Sequence, residues 1–410
     1  MDATELTAFL QSIRDELFGN IMPFWCGPAV DHEQGGWMGW LSNDLKPDRA
    51  KPKGLIVNSR ILWAFSAVHQ EHPEKLFKQM AGRAFDCVMN RFWDAEYGGA
   101  FWRLDDTGRV LDDSKKIYGQ AFYIYALSEY HRAFGAPAAL ARAKELFELI
   151  ERHAHDSRHG GYIEVRRRDW SEADPDARLS DKDMNEKKSM NNHLHVLEAY
   201  TNLYRVWKEP RVGQRLRELI QLFEQRILDS RTKHLNHFFD EEWRARSDSY
   251  TFGHDIEATW LLCEAAEVLE DAALLNRVVA VALPMAEVVL KEGIDADGAL
   301  RYEGKGGKII DAGKECWPQA EAVAGFLNAF QFSGDAKFFE AARRVWDFIE
   351  NHLVDRVHGE WFWRIAPAGG VDTTLPKVSE WKGPYHGSRM CLETLRRLRV
   401  ISKGNKKHQD

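Results

Sequence analysis

Two short segments set a histidine and a carboxylate at helical spacing within apolar sequence. Residues 253–261 read GHDIEATWL, so His254 and Glu257 are three positions apart and share one face of a helix. A histidine in such a place can exchange protons with a substrate near neutral pH. An ordinary helix N-terminus is the competing interpretation, because Asp255 and Glu257 would both favour the positive end of the helix dipole.

The second segment, residues 189–198, reads SMNNHLHVLE. Asn191, His195 and Glu198 fall on one helical face, whereas His193 points away from it, so His195 is the better candidate for chemistry. Metal binding is the alternative for a set of this kind. Neither H-x-H nor H-x-x-E matches a preferred zinc spacing and no H-E-x-x-H occurs, so we expect no metal.

Polar or aromatic residues also stand at the start of other apolar, helix-like stretches. A Gly-Pro turn precedes Tyr385 and His386, an arginine interrupts the apolar run at Arg60, and Pro318 suits a first helical turn directly after Trp317. If all these helices begin at one end of the fold, their first residues converge. The predicted pocket is lined by Arg60, Tyr118, His195, His254, Glu257, Trp317, Trp381 and His386.

This set of side chains has a definite chemical character. Flat indoles stack on the apolar face of a sugar ring, and Arg, Asn, His and Glu bond its hydroxyls. We find no nucleophile elbow and no phosphate-binding glycine loop in the sequence. The residues therefore favour an acid/base enzyme that acts on a carbohydrate.

A repeated motif indicates the fold that must position these residues. The pattern D-x-x-x-G-G followed by aromatics begins at Asp31, Asp94 and Asp156, with second glycines at 36, 99 and 161, and weaker copies begin near residues 229, 295 and 355. Between the copies, amphipathic stretches such as 76–88 and 139–150 alternate with stretches that are apolar nearly all round, such as 121–127 and 320–330. Six copies predict six helix pairs.

We therefore predict an all-α fold: a single (α/α)6 barrel with short β-hairpins on one face. The barrel spans residues 1–400, residues 401–410 form a basic, disordered tail, and the polar stretch 166–188 is an ordered loop over the barrel mouth. An open solenoid is the alternative. It would need polar capping repeats, whereas the terminal units carry apolar aromatics (Trp25, Trp37, Trp361 and Trp363).

Composition excludes several functional classes. The 56 Lys and Arg against 63 Asp and Glu give a net charge of −7, which argues against nucleic acid as a partner. There is no signal-like N-terminus and no uninterrupted apolar run of about 18 residues, so we expect no membrane association. Five scattered cysteines without a C-x-x-C pair predict a reducing, cytoplasmic location. A closed barrel needs no partner, so we expect a monomer.

Several motifs together resemble a known family. They are RILW (60–63), MNxHLHxxEAY (190–200), GHDIEATWL (253–261), WPQAEA (317–322), GEWF (359–362) and WKGPYHxxR (381–389). In this order they are similar to the cellobiose 2-epimerase family of the N-acylglucosamine 2-epimerase superfamily. Cys316 departs from the resemblance, because these enzymes usually carry a second tryptophan before the matched Trp317, and the departure could alter one subsite.

The resemblance implies an activity and a role for each matched residue. The expected reaction is epimerisation at C2 of the reducing-end glucose of β-1,4-linked disaccharides such as cellobiose and lactose, without a metal or nucleotide cofactor. A mannose isomerase, an N-acylglucosamine 2-epimerase, a glycoside hydrolase with two carboxylates and a non-catalytic sugar-binding protein are the alternatives. The implied roles are an acid/base pair (His254, His386), a third histidine for ring opening or proton handling (His195), polar substrate contacts (Arg60, Asn191, Glu257), sugar-stacking indoles (Trp317, Trp381) and a pocket tyrosine (Tyr118).

Overall fold

The computed structural model describes residues 3–172, 176–181 and 183–406. Its helices are α1 Ala3–Glu16, α2 Met22–Cys26, α3 Leu55–Glu71, α4 Lys75–Cys87, α5 Ile117–Phe134, α6 Pro137–His153, α7 Met190–Val206, α8 Pro210–Leu222, α9 Phe252–Val268, α10 Ala272–Val288, α11 Cys316–Ser333, α12 Ala336–Phe348 and α13 Tyr385–Lys406. Five-residue π-helical turns span Leu17–Ile21, Val88–Phe92, Phe223–Ile227, Val289–Gly293 and Ile349–Leu353. Its strands are β1 Lys53–Gly54, β2 Arg103–Leu104, β3 Val110–Asp112, β4 Lys115–Lys116, β5 Val165–Arg166, β6 Lys188–Ser189, β7 Phe238–Phe239, β8 Ser249–Thr251, β9 Glu303–Lys305, β10 Lys308–Asp311, β11 Lys314–Glu315 and β12 Arg364–Ile365.

Six helices form an inner ring. α3, α5, α7, α9, α11 and α13 each pack against the next, and α13 packs back against α3. Closure of this ring confirms the (α/α)6 barrel and shows that the open solenoid was the wrong alternative. α1, α4, α6, α8, α10 and α12 form the outer ring and bury one face each; in α6 that face is Ala139, Ala143, Leu146, Phe147 and Ile150.

The glycine motifs are tight hairpins between an outer helix and the following inner helix. Each is closed by one antiparallel bridge, such as Trp93 to Ala100 and His155 to Tyr162, and the weaker copies have the same bridge. Gly99 and Gly161 lie at φ values of 73° and 75°, which favour glycine. A Cβ on Gly161 would also stand 2.5 Å from the rings of His193 and Trp243, so this hairpin has no room for a side chain.

Short strands connect the repeats around the same end of the barrel. The strand that leads into one inner helix pairs with a strand of the next repeat, as in β1 with β2, β4 with β5, β6 with β7, β8 with β9 and β11 with β12. A bridge from Leu41 to Val378 joins the sixth repeat to the first. The ring is therefore closed by backbone pairing as well as by helix packing.

Five ion pairs, which we call the hairpin clamps, brace these connections; four are buried and the Asp295–Lys314 pair is partly buried. In each, the hairpin aspartate binds a lysine in the segment that leads to the inner helix, at 2.6–3.0 Å in the first four pairs that follow. The clamps are Asp31–Lys53, Asp94–Lys115, Asp156–Lys188, Asp295–Lys314 and Asp355–Lys377. In the fourth repeat Tyr250 occupies the lysine position, and His234 binds Asp255 at 2.7 Å instead.

Two further predictions concern the tail and the loop. Helix α13 continues to Lys406, six residues into the segment predicted as a disordered tail, and residues 407–410 lie outside the described residues. In the loop at 166–188, residues 173–175 and 182 also lie outside them. The described part of this loop reaches the barrel mouth, where Leu179, Ser180 and Asp183 line the cavity. This agrees with the predicted position of the loop.

One described segment, Ala272–Gly293, has the length and composition of a helix that could cross a membrane, with a mean hydropathy of 1.8. It comprises α10 and its π turn. It packs on α9 and α11 as an outer helix of the barrel, and one third of it is buried. Core helices of globular proteins pass the same test. The absence of a membrane role therefore stays a prediction.

Candidate active site

A cavity of about 560 Å³ opens where the inner helices begin. This volume lies within the range of small-molecule sites, about 300–1,000 Å³. The structure brings all nine sequence-predicted residues to this cavity: Arg60, Tyr118, Asn191, His195, His254, Glu257, Trp317, Trp381 and His386.

The register of the inner helices explains this convergence. Tyr118, Asn191, Trp317 and His386 are the second residues of their helices. Arg60, His195 and Glu257 are the sixth residues of theirs. Positions four apart lie one above the other on a helix, so both sets point to the barrel axis, one turn apart in depth. Trp381 comes from the turn before α13, and His254 is the third residue of α9.

His254 lies half-buried on one side of Trp317. Its Nδ1 is 2.5 Å from the Thr251 hydroxyl, and its ring is 4.7 Å from that of Trp317. Burial and then the neighbouring His237 lower the pKa of His254 well below its ordinary value. The imidazole is therefore neutral near pH 7 and can accept a proton.

His386 contacts the same indole, with ring centroids 5.6 Å apart. Its Nδ1 is 2.6 Å from a Glu321 carboxylate oxygen, and donation of Nδ1–H to this oxygen leaves Nε2 as the basic nitrogen. Burial and the charge of Arg60 hold the pKa of His386 well below its ordinary value. Both imidazoles therefore contact Trp317, and both have a lowered pKa.

One arginine and three glutamates form what we call the axial cluster, at the bottom of the cavity. Arg389 donates to Glu257 at 2.5 Å, to Glu321 at 2.7 Å and to Glu198, and all four side chains are at most 2% exposed. One positive charge cannot balance three negative ones. Burial and repulsion from Glu321 raise the pKa of Glu257, and burial also raises that of Glu321, so this pair of carboxyl groups holds a proton more readily than isolated ones do.

His195 contacts the axial cluster and Tyr118, and Arg60 contacts Tyr118 and Trp381 at the cavity wall. The Nδ1 of His195 is 2.8 Å from Glu198, and its ring meets Tyr118 edge-on at 5.0 Å. Arg60 donates to the Tyr118 hydroxyl at 3.1 Å and to the Trp381 carbonyl at 3.2 Å. These contacts hold a cation and a phenol at the cavity wall.

Three residues here were not predicted as functional candidates from the sequence: Glu321, Arg389 and Tyr385. Glu321 occupies the sixth position of α11, in register with Glu257 on α9, so helical register would have found it. Arg389 is the fifth residue of α13 and falls outside this register.

The predicted subsite around Cys316 is also part of the cavity. Cys316 is half-buried beside Glu315, and its backbone N–H bonds the carbonyl of Trp363. Burial raises the pKa of its thiol to about 11, so the sulfur is neutral and acts as a small apolar surface.

A metal ion has one candidate position among the described residues. Glu257, Glu321 and His386 place ligand atoms within 4.8 Å of one another. The guanidinium of Arg389 already binds both carboxylates, so it supplies the positive charge at this point. The donor set is therefore used internally, which fits the expectation that the chemistry needs no metal.

Residues 36–386 match the model of the N-acylglucosamine 2-epimerase (GlcNAc 2-epimerase) family. A cellobiose 2-epimerase from Bacteroides fragilis is 44% identical over 94% of this chain and 98% of its own. The solved cellobiose 2-epimerase of Bacillus thermoamylovorans B4167 superposes with a TM-score of 0.91 at 37% identity, covering 95% of this chain and 100% of that one. A D-mannose isomerase from Marinomonas mediterranea is 23% identical over 92% of this chain and 95% of its own. The chain therefore belongs to the N-acylglucosamine 2-epimerase family.

Proposed function

We propose that this protein epimerises C2 of the reducing-end glucose in β-1,4-linked disaccharides such as cellobiose and lactose, and converts the mannose product back. The observation that carries the proposal is the pair His254 and His386, two imidazoles that line the same cavity and both contact Trp317. Inversion of a carbon acid needs one base to remove the proton and a second group to return one to the opposite face. Full-length relatives called cellobiose 2-epimerase, at 37–44% identity, support the substrate class.

Ring opening comes first, because the C2 hydrogen becomes acidic only beside the free aldehyde. The anomeric hydroxyl must lose a proton, and the ring oxygen must gain one. We assign this transfer to His195, whose bond to Glu198 fixes the orientation of its ring. Burial lowers the pKa of His195, which keeps the imidazole neutral and able to take the hydroxyl proton.

Proton abstraction at C2 follows. One of the two histidines takes the C2 proton, and the electrons of the C–H bond move to the aldehyde oxygen to give an enediolate. Donors at the cavity wall stabilise this oxygen charge, and Arg60 and the carboxylic acid form of Glu257 are the groups available. After rotation about the C2–C3 bond, the other histidine, which must enter this step as an imidazolium, returns its extra proton to the opposite face and becomes neutral. The substrate thus loses and gains one proton, and the two histidines exchange protonation states.

The indoles hold the sugar during these steps. Trp317 and Trp381 are both half-buried and line the cavity, so each presents a flat apolar face to a ring. Asn191 adds an amide for hydroxyl groups, and Tyr118 is held by Arg60. We therefore assign these four residues to substrate binding.

An aldose–ketose isomerase is the second candidate, since a D-mannose isomerase aligns along nearly the whole chain. The two reactions share the enediolate and differ in whether the proton returns to C2 or to C1. A two-carboxylate hydrolase is less consistent with the site. Oxygens of Glu257 and Glu321 lie within 4.8 Å of each other on one arginine, closer than the carboxylate pairs of glycosidases, which are separated by about 5 Å or more.

NMR analysis of the products from cellobiose, mannose and N-acetylmannosamine separates these activities. We expect glucosyl-mannose from cellobiose. When the reaction runs in D₂O, we expect deuterium at C2 and at no other carbon. His254→Asn and His386→Asn should keep the fold and lose about 10²–10⁴-fold in kcat, whereas the surface variant His358→Asn should match the wild type. A ketose as the main product, or near-normal turnover by either site variant, would contradict the proposal.

Three broader features belong to the same proposal. We take residues 1–400 as one catalytic domain, since the described helices close a single ring. We expect a monomer, because the cavity is built from one chain. We also propose a cytoplasmic location; the five cysteines, all in the described part of the chain, are free thiols.

A further inference from the structure

A second, smaller cavity of about 50 Å³ adjoins the active site at His254. Asn191 and His254 line both cavities, while Glu164 and His237 line only the smaller one among the pocket residues described here. Loop residues Leu179, Asp183, Met184 and Glu186 cover it on the remaining side. The volume is enough for a few water molecules, each of which needs about 10–15 Å³.

Glu164 is a buried carboxyl group that the epimerisation steps above do not use. It is 5% exposed, and one of its oxygens accepts a 2.6 Å hydrogen bond from the backbone N–H of Ser189. Burial raises the pKa of Glu164 to about 8, so the group gains and loses a proton near neutral pH. A titratable group that lines a small cavity beside the active site is a candidate for proton transfer.

Two other side chains supply polar partners for water in this cavity. The Nε2 of His237 accepts a hydrogen bond from the backbone N–H of Thr251 at 3.2 Å, which places its proton on Nδ1. The Oδ1 of Asn191 is buried and has no hydrogen-bond partner within the described structure. A bridging water satisfies such an acceptor, since buried polar groups are normally hydrogen-bonded.

The two-base reaction creates a need for a proton route. After one turnover, the base that took the C2 proton is an imidazolium, and the histidine that returned a proton is deprotonated. The free enzyme must restore the starting state before it can turn over again in the same direction. His254 lines the small cavity, whereas His386 does not, so water in this cavity would reach His254 alone of the two.

We propose that this cavity holds water and that Glu164 uses it to exchange protons between His254 and solvent between turnovers. The imidazolium N–H gives its proton to water, water passes a proton to the Glu164 carboxylate, and the carboxylic acid releases it to solvent past the covering loop. The reverse sequence reloads His254 when it has acted as the acid. The inference rests on the proposed epimerase reaction and assigns Glu164 to the reset of the enzyme.

Kinetics separates this assignment from a structural role. The reset follows product release, so it contributes to kcat and is absent from kcat/KM. In Glu164→Gln the amide oxygen can still accept the Ser189 bond, but the side chain no longer titrates. We expect kcat for cellobiose to fall by roughly 10–100-fold, within the effect of a positioned proton transfer, with kcat/KM unchanged.

Two controls accompany this variant. Imidazole added at constant pH should raise kcat of Glu164→Gln in proportion to its concentration, and it should leave the wild-type kcat unchanged. Glu186→Gln changes another carboxylate that lines the small cavity, one that is paired with Arg246 at 3.4 Å, and it should retain the wild-type kcat. If Glu164→Gln does not fold, His237→Asn should show the same loss of kcat alone.

The outcomes are distinct. A parallel fall in kcat and kcat/KM would overturn the inference in favour of a structural or substrate-binding role for Glu164. A wild-type kcat in Glu164→Gln would overturn it as well. Failure of the proposed function has another signature, because the wild-type enzyme itself would then form no C2 epimer from cellobiose.

Discussion

Buried charges occur in two regions of this barrel, and the two regions balance them differently. At the hairpin end, each clamp joins one aspartate to one lysine, and Lys115 and Lys188 are fully buried. On the barrel axis, one arginine faces three glutamates. The clamps are therefore close to electrically neutral, whereas the axial cluster carries an excess of negative charge that a bound proton must relieve.

The pKa values of the carboxylates follow this difference. Burial works against Asp94, but hydrogen bonds from Arg168 and Lys115 outweigh it and hold the pKa of Asp94 at about 2. Burial and repulsion instead raise the pKa of Glu257 to about 8. Matched buried charges thus stabilise the folded chain, and unmatched ones keep a proton available where the substrate binds.

The largest effect is expected from removal of the axial cation. Arg389→Met would leave Glu198 and Glu321 buried without their positive partner, so we expect turnover to fall below detection and the free energy of unfolding to drop by about 3–5 kcal/mol. Urea unfolding and product assays measure the two losses. An active, stable Arg389→Met enzyme would mean that the cluster carries no charge excess.

Removal of a clamp cation should affect stability alone. In Lys115→Met the buried Asp94 loses one of its two cationic partners, and we expect a loss of about 3 kcal/mol in the free energy of unfolding. The kcat of the folded enzyme should stay within about twofold, since Lys115 does not line the cavity. The double variant Lys115→Met/Asp94→Asn removes the unpaired charge and should recover part of the loss. A large fall in kcat would break the distinction between the regions.

The two regions should also give stability opposite pH dependences. Because the pKa of Asp94 is lowered on folding, its contribution is present above the usual pKa of 3.8 and is lost as the pH falls towards about 2. The pKa of Glu257 is raised on folding, so stability falls as the pH rises from about 4.5 to about 8. Glu257→Gln should flatten only the alkaline side of a plot of unfolding free energy against pH. If this variant flattened the acid side instead, the assignment of the alkaline slope to Glu257 would be wrong.

The smallest effect on stability is expected in the fourth repeat, where the His234–Asp255 pair takes the place of an aspartate–lysine clamp. Burial lowers the pKa of His234, but the bond to Asp255 and the nearby Glu292 outweigh it and raise this pKa above 6.5. The stabilising contribution is therefore complete below pH 6.5 and is lost as the pH rises through the raised value. His234→Gln should cost about 1–2 kcal/mol at pH 6 and less at pH 8. Equal losses at both pH values would show that the pair acts only as a neutral hydrogen bond.

Most of the fold could be read from the sequence because the repeat is regular. The second glycines at 36, 99 and 161 mark hairpins, because these hairpins require positive φ values at those positions. The apolar stretches 121–127 and 320–330 lie in inner helices. The end of α13 was harder to place. Basic residues near a helix C-terminus favour the dipole, so the Lys-rich sequence continues as helix to Lys406.

The site was predictable where register along one helix decides it. His254 and Glu257 could be paired from their spacing, and so could Asn191 and His195. The clamps and the axial cluster could not, because Arg389 meets glutamates from three other helices, and those contacts depend on closure of the ring. The raised pKa of Glu257 follows from that meeting and from burial, neither of which spacing reveals.

Closure through the last inner helix also has a consequence during protein synthesis. α13 supplies His386 and Arg389, so a growing chain that already holds His254 lacks one base and the axial cation. At roughly 5–20 residues per second, many seconds pass between translation of the two histidines. Once Glu321 has been translated, all three glutamates of the axial cluster are present without their arginine. A shortened chain that ends before α13 should therefore be unable to invert a sugar.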